Sequence, residues 1–229
     1  GRSPSFLSSA EIYDEGSGRW SSLPPMKTPR FGCAAAQAKE KIFVVGGYGG
    51  GTRLSTAECF DLAANRWEAM PEMTSKRTGC AAVAVSNNLY VFGGDDGSGN
   101  ELASAEVYDF GSRRWSSLPP MEDRRCGCAA VAVGDVIYVL GGWDGKQRLS
   151  SVEKFSLATR TWSRAGCMNV ARYYCAAVVT PANEILVVGG KDNTNTKLSS
   201  TEVLCLPMPT SPFYQLLLEE DNRNINLKI

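Results

Sequence analysis

Four arginines in this 229-residue chain recur at one spacing, 47 or 48 residues apart: Arg30, Arg77, Arg125 and Arg172. Guanidinium groups present planar, fork-shaped donors that match carboxylates, so a ring of them would bind an acidic peptide or another carboxylate ligand. A glutamate recurs at nearly the same spacing, 47 to 49 residues apart: Glu58, Glu106, Glu153 and Glu202. The alternative is that each arginine pairs with one of these glutamates. We favour the pairing for most of the set, with one or two arginines left free.

Against catalysis, the chain contains no histidine. This excludes Ser-His-Asp and Cys-His sites and any His-ligated copper, iron or zinc centre. Asp95, Asp96 and Asp144 lie beside glycines, which is typical of ordinary turns, and their spacing matches no calcium loop. No glycine cluster is followed by the Lys-Ser or Lys-Thr of a phosphate-binding loop. We therefore predict a protein that is not an enzyme, with no metal and no cofactor.

Composition limits the classes of partner that the protein can bind and the cellular compartment in which we expect it. Acidic and basic residues are equal in number, 24 of each, so no electrostatic footprint for nucleic acid or an anionic membrane is present. No apolar stretch approaches the roughly 20 residues of a membrane helix. Four of the eight cysteines share one repeat position: Cys33, Cys80, Cys128 and Cys175. Equivalent positions of successive repeats lie apart, so we predict free thiols and an intracellular, cytoplasmic protein.

The elements that carry these residues follow from the same period. Four strand-like runs end in Gly-Gly pairs: Gly46-Gly47, Gly93-Gly94, Gly141-Gly142 and Gly189-Gly190. Within one unit we predict strands at 33–38, 41–46 and 57–61 and a fourth around Trp67, with a tight turn at Lys39 and Glu40. Four short strands without a helical period form a meandering antiparallel sheet. Such a small sheet cannot bury its own faces, so several must pack radially as a β-propeller.

The repeated motif resembles the kelch repeat. Its parts are the Gly-Gly strand, a Glu-x-(Tyr/Phe)-Asp third strand at 11–14, 58–61 and 106–109, and a Trp six residues after that Asp. The fourth copy keeps Glu153, Phe155 and Trp162 but has Ser156 in place of Asp. The resemblance covers residues 10–206 and implies an all-β propeller of four-stranded antiparallel kelch blades.

Counting strands predicts an incomplete ring over residues 1–206. Residues 10–22 supply a third and fourth strand, three full units follow, and 175–206 supply three strands, giving three full and two partial blades. The resemblance implies six blades in the full protein, with five as the alternative, so we expect a fragment or an isoform. Residues 207–229 leave the repeat; this tail either supplies a closing strand or is a frayed terminus.

The meander also predicts which face binds. Long loops at 47–56, 94–104, 142–151 and 190–200 share one face with the connections between units, whereas short turns occupy the opposite face. Residues constant from unit to unit are expected to be scaffold, and those that vary are free to be specialised. Two positions on the long-loop face vary: Tyr48, Asp95, Trp143 and Lys191 follow Gly-Gly, and Phe31, Thr78, Cys126 and Tyr173 follow the repeated arginine.

Two functions from different classes follow. The first, which we favour, is a protein-interaction module whose variable residues bind a partner peptide or loop, an acidic one included. The kelch resemblance implies that such a propeller can be the substrate receptor of a ubiquitin-ligase adaptor. The alternative for the aromatic residues is that they pack on their own loops, and both interpretations stay open. The second function is a carbohydrate-processing enzyme that uses carboxylate, Arg and Tyr residues at the central opening.

Overall fold

The computed structural model describes residues 6–206, which are all-β and contain no helix, and hence none that could cross a membrane. Five antiparallel sheets follow one another along the chain, and we call them blades 1 to 5: residues 10–23, 34–69, 81–118, 129–167 and 176–204. Blades 2, 3 and 4 have four strands, blade 1 has two and blade 5 has three. The predicted three full and two partial blades are therefore confirmed.

Blade 1 consists of Ala10–Asp14 and Arg19–Leu23. Blade 2 consists of Ala34–Ala38, Lys41–Val45, Ala57–Asp61 and Arg66–Ala69. Blade 3 consists of Ala81–Val85, Asn88–Phe92, Ala105–Asp109 and Arg114–Leu118. Blade 4 consists of Ala129–Val133, Val136–Leu140, Ser151–Ser156 and Thr161–Cys167. Blade 5 consists of Ala176–Val179, Ile185–Val188 and Thr201–Leu204. The predicted closing strand at 207–229 lies outside the described residues.

Tight turns set the register within each blade. Lys39 and Glu40 both have positive φ, 48° and 57°. A two-residue hairpin turn requires these angles if its twist is to match the right-handed twist of the flanking strands. Ala38 therefore pairs with Lys41, and Lys41 pairs in turn with Asp61 of the third strand. In blade 3, Ser86 and Asn87 repeat this geometry. The predicted turns are confirmed, and they place the second strand of each blade between two neighbours.

One hairpin was not predicted. Within the long loop of blade 2, Tyr48–Gly49 pairs with Thr52–Arg53 in a separate two-stranded sheet. The turn between them is Gly50-Gly51, whose φ angles of 58° and 82° suit a two-residue hairpin turn that other residues rarely adopt. The Gly-Gly turn was visible in the sequence, but the two strands are too short to show an alternating pattern of apolar and polar residues.

Packing between blades buries the middle strands on both faces. The first strands of blades 2 to 5 lie side by side along the axis, and the hydrophobic clusters join adjacent sheets. Trp162 of blade 4 packs edge-on against Phe92 of blade 3, with ring centroids 5.6 Å apart. Its indole N–H donates to the carbonyl of Pro119, 2.8 Å away, in the preceding connection. The repeated tryptophan is thus a scaffold residue that joins a blade to its predecessor, as predicted.

The partial blades keep an apolar face exposed. Trp20 of blade 1 is 67% exposed, whereas Trp67 of blade 2 is 9% exposed. At the other end, Val178 of blade 5 is 54% exposed, whereas the equivalent Val131 of blade 4 is 7% exposed. Within residues 6–206 these two faces therefore lack the neighbouring sheet that covers them in blades 2 to 4.

The Gly-Gly pair is the contact point between successive blades. The N–H of Gly94 donates to the carbonyl of Arg125, 2.8 Å away in the next unit, and Gly47 and Gly142 donate to Arg77 and Arg172 in the same way. A Cβ on Gly93 would overlap that Arg125 carbonyl oxygen. No larger residue fits, because backbone of the next blade already occupies the space.

We expect Gly93→Ala to destabilise the protein more than Gly50→Ala does. The two glycines have nearly equal φ, 62° and 58°, but Gly50 faces open space. The left-handed backbone alone costs about 1–2 kcal/mol for alanine, and overlap at Gly93 adds about 1–3 kcal/mol or more. Urea denaturation measures both variants. Equal losses of unfolding free energy would contradict the proposed contact between blades.

Candidate functional site

The four repeated arginines lie under the long-loop face, each in the same network of hydrogen bonds. Arg77 donates through Nη1 to the carbonyls of Gly93 and Ser104, 2.7 and 3.0 Å away, and through Nη2 to Glu106 Oε1, 2.9 Å away. The ion pairs in the other blades span 2.9 to 3.0 Å: Arg30 with Glu58, Arg125 with Glu153 and Arg172 with Glu202. Glu106 also accepts the backbone N–H groups of Thr74 and Ser75. Each pair therefore ties an inter-unit connection to its own blade.

The interpretation of Arg30, Arg77, Arg125 and Arg172 as partner-binding residues is wrong, since none of the four side chains has any exposed area. The favoured pairing with glutamate is confirmed for all four, including the one or two that we expected to remain free. Each guanidinium is buried against the repeated glutamate and backbone carbonyls of its blade, and Arg125 pairs with Asp123 as well, so none of the four faces a partner.

The two variable positions meet in every blade from 2 to 5. The residue after Gly-Gly and the residue after the arginine form a backbone bridge: Phe31 with Tyr48, Thr78 with Asp95, Cys126 with Trp143 and Tyr173 with Lys191. Both hydrogen bonds of each bridge are 2.7 to 3.0 Å long. The long loops and the inter-unit connections therefore share one face, as predicted, and the two sets of candidate residues form a single surface.

A third variable position joins this surface, and sequence reasoning missed it. The residue after Gly-Gly is also bridged to the returning arm of its loop: Arg53 in blade 2, Glu101 in blade 3, Arg148 in blade 4 and Lys197 in blade 5. Each blade thus carries three bridged residues in a row, which we call its triad. The signal in the sequence was the leucine that directly follows this position in every copy: Leu54, Leu102, Leu149 and Leu198.

The triads differ in what they present. Tyr48 of blade 2 lies beneath the guanidinium of Arg53, which also donates to Asp95 of blade 3 at 2.6 Å. One carboxylate oxygen of Asp95 is therefore occupied by a contact between blades 2 and 3. Phe31 is 59% exposed. Blade 3 is acidic, and with blade 4 it forms a groove of about 500 Å³ that includes Glu101 and Asp144.

The central opening is lined by a ring that the repeat makes from glycine. Gly32, Gly79 and Gly127 follow the first triad residue, with φ of 63°, 66° and 63°. The second and third glycines donate their N–H groups to the carbonyl of the glycine before them, Gly79 to Gly32 at 2.8 Å and Gly127 to Gly79 at 2.6 Å. Together with the four repeated cysteines they surround a cavity of about 190 Å³. Burial raises the pKa of Cys80 to about 11 and that of Cys128 to about 12, which keeps both as thiols.

Blade 5 breaks this ring with Tyr174, a second residue that sequence reasoning missed. Tyr174 keeps the glycine-like φ of 56° and donates its N–H to the Gly127 carbonyl at 2.8 Å. A non-glycine residue in this conformation is uncommon and strained. Its ring lies over Gly127 and reaches Gly79, where a Cβ would be 3.6 Å from the phenol oxygen. The departure from Gly was visible in the sequence, as Arg-Tyr-Tyr-Cys instead of Arg-x-Gly-Cys.

Carboxylates on this face are occupied by their own loops. Asp95 Oδ1 accepts the N–H of Gly97, Asp96 that of Ser98, and Asp144 those of Lys146 and Gln147. Every described carboxyl group whose pKa is clearly shifted has a lowered pKa: Asp14, Asp61, Asp96, Asp109, Asp123, Asp192 and Glu202. Within residues 6–206, no group of three or more acidic or cysteine side chains is arranged to hold a metal ion.

Comparisons with known proteins match this architecture. The family model described as the KLHDC2/KLHL20/DRC7 Kelch-repeats domain matches residues 32–223. The chain belongs to the kelch-repeat family. Among solved structures, the propeller is similar to one titled "Structure of YjhT", with a TM-score of 0.73 and 15% sequence identity over 83% of this chain and 70% of that one. No curated protein matches the chain in sequence.

Membership of the kelch family explains the division between constant and variable residues. The Arg–Glu pair, the Gly-Gly contact and the tryptophan recur in the kelch units because each blade needs them to fold. The triads and Tyr174 lie on this scaffold and vary between units, although Arg53 and Asp95 also form an ion pair between blades 2 and 3. Kelch propellers generally bind proteins, and the three triad positions are where this one can differ from blade to blade.

We expect Glu106→Gln to destabilise the kelch propeller by about 3–5 kcal/mol, because it leaves the buried charge of Arg77 without its carboxylate. The matched control is Glu68→Gln, which breaks the exposed Arg66–Glu68 pair of similar length, 2.7 Å, and is expected to cost less than about 1 kcal/mol. Chemical denaturation of the two variants measures the difference. A loss for Glu106→Gln no larger than the control's would show that the pair does not hold the blade together.

Acid should weaken the pair of blade 5 in a predictable direction. Burial opposes the ionisation of Glu202, but the N–H of Asn169 and the side chain of Arg172 outweigh it and lower the pKa of this carboxyl below its usual 4.5. The stabilisation from Glu202 is therefore complete above about pH 4.5 and declines as the pH falls through the lowered folded-state pKa. We expect the gap in melting temperature between the wild type and Glu202→Gln to narrow below about pH 4.5. A constant gap down to about pH 3 would contradict this assignment.

Proposed function

We propose that this kelch propeller is a non-enzymatic protein-interaction module that binds a peptide or loop of a partner on its long-loop face. The observation that carries the proposal is the set of triads. In each of blades 2 to 5, residues that differ between units are bridged side by side on a scaffold that does not differ. A rigid base with variable side chains is the usual construction of a recognition surface.

The chemistry of the triads supports a protein ligand. Tyr48, Trp143 and Tyr173 offer large apolar area with a polar end, and such residues dominate the binding energy of interfaces. Their backbone is held by bridges to neighbouring triad residues, so little conformational entropy is lost when a partner binds. Phe31 and Tyr174 add exposed aromatic surface close to the central opening.

The competing function is a carbohydrate-processing enzyme, which would need two close carboxylates with raised pKa at the central opening. The described opening is lined by glycines, cysteines and Tyr174 instead. This lining favours the interaction module.

We extend the proposal to the cellular role of the propeller, for which the support comes from the kelch family. Some kelch propellers are the substrate-receptor part of a ubiquitin-ligase adaptor, and we infer that this one acts as such a receptor in the cytoplasm. The eight free cysteines suit a reducing compartment and support the second half of this inference.

The test is an affinity pull-down of the full-length protein with mass spectrometry, run beside Tyr48→Ala combined with Trp143→Ala. We expect the double variant to lose at least about 2 kcal/mol of binding free energy, or more than tenfold in affinity, because it removes two aromatic hot-spot candidates. Capture of the identified partner, measured by quantitative mass spectrometry, should fall accordingly.

The matched control is Arg113→Ala combined with Arg160→Ala, two exposed turn residues on the opposite face. Both double variants should keep the melting temperature within a few degrees of the wild type. Undiminished capture by the Tyr48 and Trp143 variant, or equal loss in the control, would overturn the assignment of the long-loop face.

A further inference from the structure

We propose that one corner of the long-loop face selects partner segments in which an acidic side chain lies next to an apolar one. The corner is formed by blades 4 and 5 and consists of Trp143, Arg148, Tyr173, Tyr174, Lys191 and Lys197. This inference rests on the proposed function and specifies the chemistry of the partner.

Arg148 is held in place for recognition but is not neutralised. Its guanidinium lies 5.8 Å from the ring centroid of Trp143 and 5.9 Å from that of Tyr173, between two aromatic residues of adjacent blades. Nη2 donates to the amide oxygen of Asn195 at 2.9 Å, and Nε is buried without a hydrogen-bond partner among the described residues. Arg148 makes no ion pair with any described carboxylate, unlike the repeated arginines below it.

Two lysines extend this positive charge across blade 5. Lys191 and Lys197 are bridged to each other through their backbones, and neither forms an ion pair within residues 6–206. The two carboxylates of these loops, Asp144 and Asp192, accept N–H groups of their own turns and form no ion pair with a described residue. Asp192 Oδ1 accepts the N–H groups of Thr194 and Thr196, and Asp144 caps its own turn. The side chain of Thr194 and, more weakly, the Arg148 guanidinium lower the pKa of the Asp192 carboxyl, so Asp192 lies near Arg148 without forming an ion pair with it. Three cationic side chains against the two carboxylates leave the corner with an excess of positive charge, which a carboxylate from a partner would neutralise.

Tyr174 adds an apolar platform beside these cations. Its ring packs on Tyr173 with centroids 4.2 Å apart, and the residue is 49% exposed. Among blades 2 to 5, blade 5 alone has a side chain at this place, because the other three have glycine. A strained aromatic residue that lies across two glycines at the rim of the opening is suited to contact an apolar side chain of a ligand.

The charge of the neighbouring surface favours binding of the segment's acidic side chain at the corner. Blade 3 presents Asp95 and Glu101. The groove towards blade 4 contains four carboxylates against two cations: Glu101, Glu122, Asp123 and Asp144 against Arg124 and Lys146. An acidic side chain of a ligand is therefore less favoured in this groove than at the corner formed by Arg148, Lys191 and Lys197. The charges of the long-loop face are thus segregated, although the chain as a whole has none in excess.

The experiment uses a display library of random short peptides selected on the full-length protein. Selected peptides are then synthesised with a fluorescent label, and their affinities are measured by polarisation. We expect enrichment of Asp or Glu adjacent to Leu, Phe, Tyr or another apolar residue. Replacement of that acid by its amide, Lys191→Gln with Lys197→Gln, and Tyr174→Gly should each reduce affinity by about tenfold or more.

Controls separate loss of binding from loss of structure. Lys76→Gln removes an exposed lysine from the same face between blades 2 and 3 and should leave affinity unchanged. Tyr174→Gly restores the residue that the other three units carry, so its melting temperature should equal or exceed that of the wild type.

Selection of peptides without the acidic and apolar pair, no selection at all, or unchanged affinity in the lysine and Tyr174 variants would overturn the inference. If affinity is instead lost in Phe31→Ala or Tyr48→Ala of blade 2, the corner is wrong and the proposed function stands. If no variant of the long-loop face alters binding of the identified partner, the proposed function fails with it.

Discussion

The buried pair of arginine and glutamate is the interaction on which each blade depends. A guanidinium with no exposed area would be very unfavourable alone, so its position requires a carboxylate and several carbonyl oxygens at fixed places. Arg77 finds them at Glu106, Gly93 and Ser104 of one blade. The pair therefore joins the incoming connection, the end of the second strand and the start of the third. Repeated arginines are a residue type expected of a binding site, but here each one stabilises the interior of its blade through the pair with glutamate.

Close approach between backbones is the second constraint, and it acts between blades. The Arg125 carbonyl that accepts from Gly94 belongs to the same residue whose side chain clamps the next blade. Arg125 thus stabilises the interior of blade 4 through its side chain and fixes the distance between blades 3 and 4 through its backbone carbonyl. Gly79 and Gly127 continue the hydrogen-bond chain around the opening, where the absence of a Cβ leaves room for Tyr174. Most of the variation between units is in the triads on the long-loop face, and among these residues Asp95 and Cys126 also contact the preceding unit.

Much of the fold could be predicted because its determinants are local and repeated. The turn at Lys39 and Glu40, the third strand Ala57–Asp61 and the number of strands per blade all depend on residues adjacent in sequence. The choice of working face also followed from loop lengths. The hairpin at Tyr48–Gly49 and Thr52–Arg53 escaped prediction because two-residue strands have no period. Tyr174 escaped it because its place at the opening depends on glycines that belong to other blades.

Sequence alone determined that the chain is built from kelch units, how many strands each described blade has and which residues are constant, since a period of 47 or 48 residues records what each blade needs. Only the tertiary structure decided whether a charged residue faces inward or outward. Arg77 and Arg148 are both arginines at the ends of loops, yet the first is enclosed with Glu106 and the second lies between Trp143 and Tyr173 without an ion pair to any described carboxylate. The difference arises from burial and from which side chains distant segments bring within hydrogen-bond reach, neither of which is a property of the residue or of its spacing.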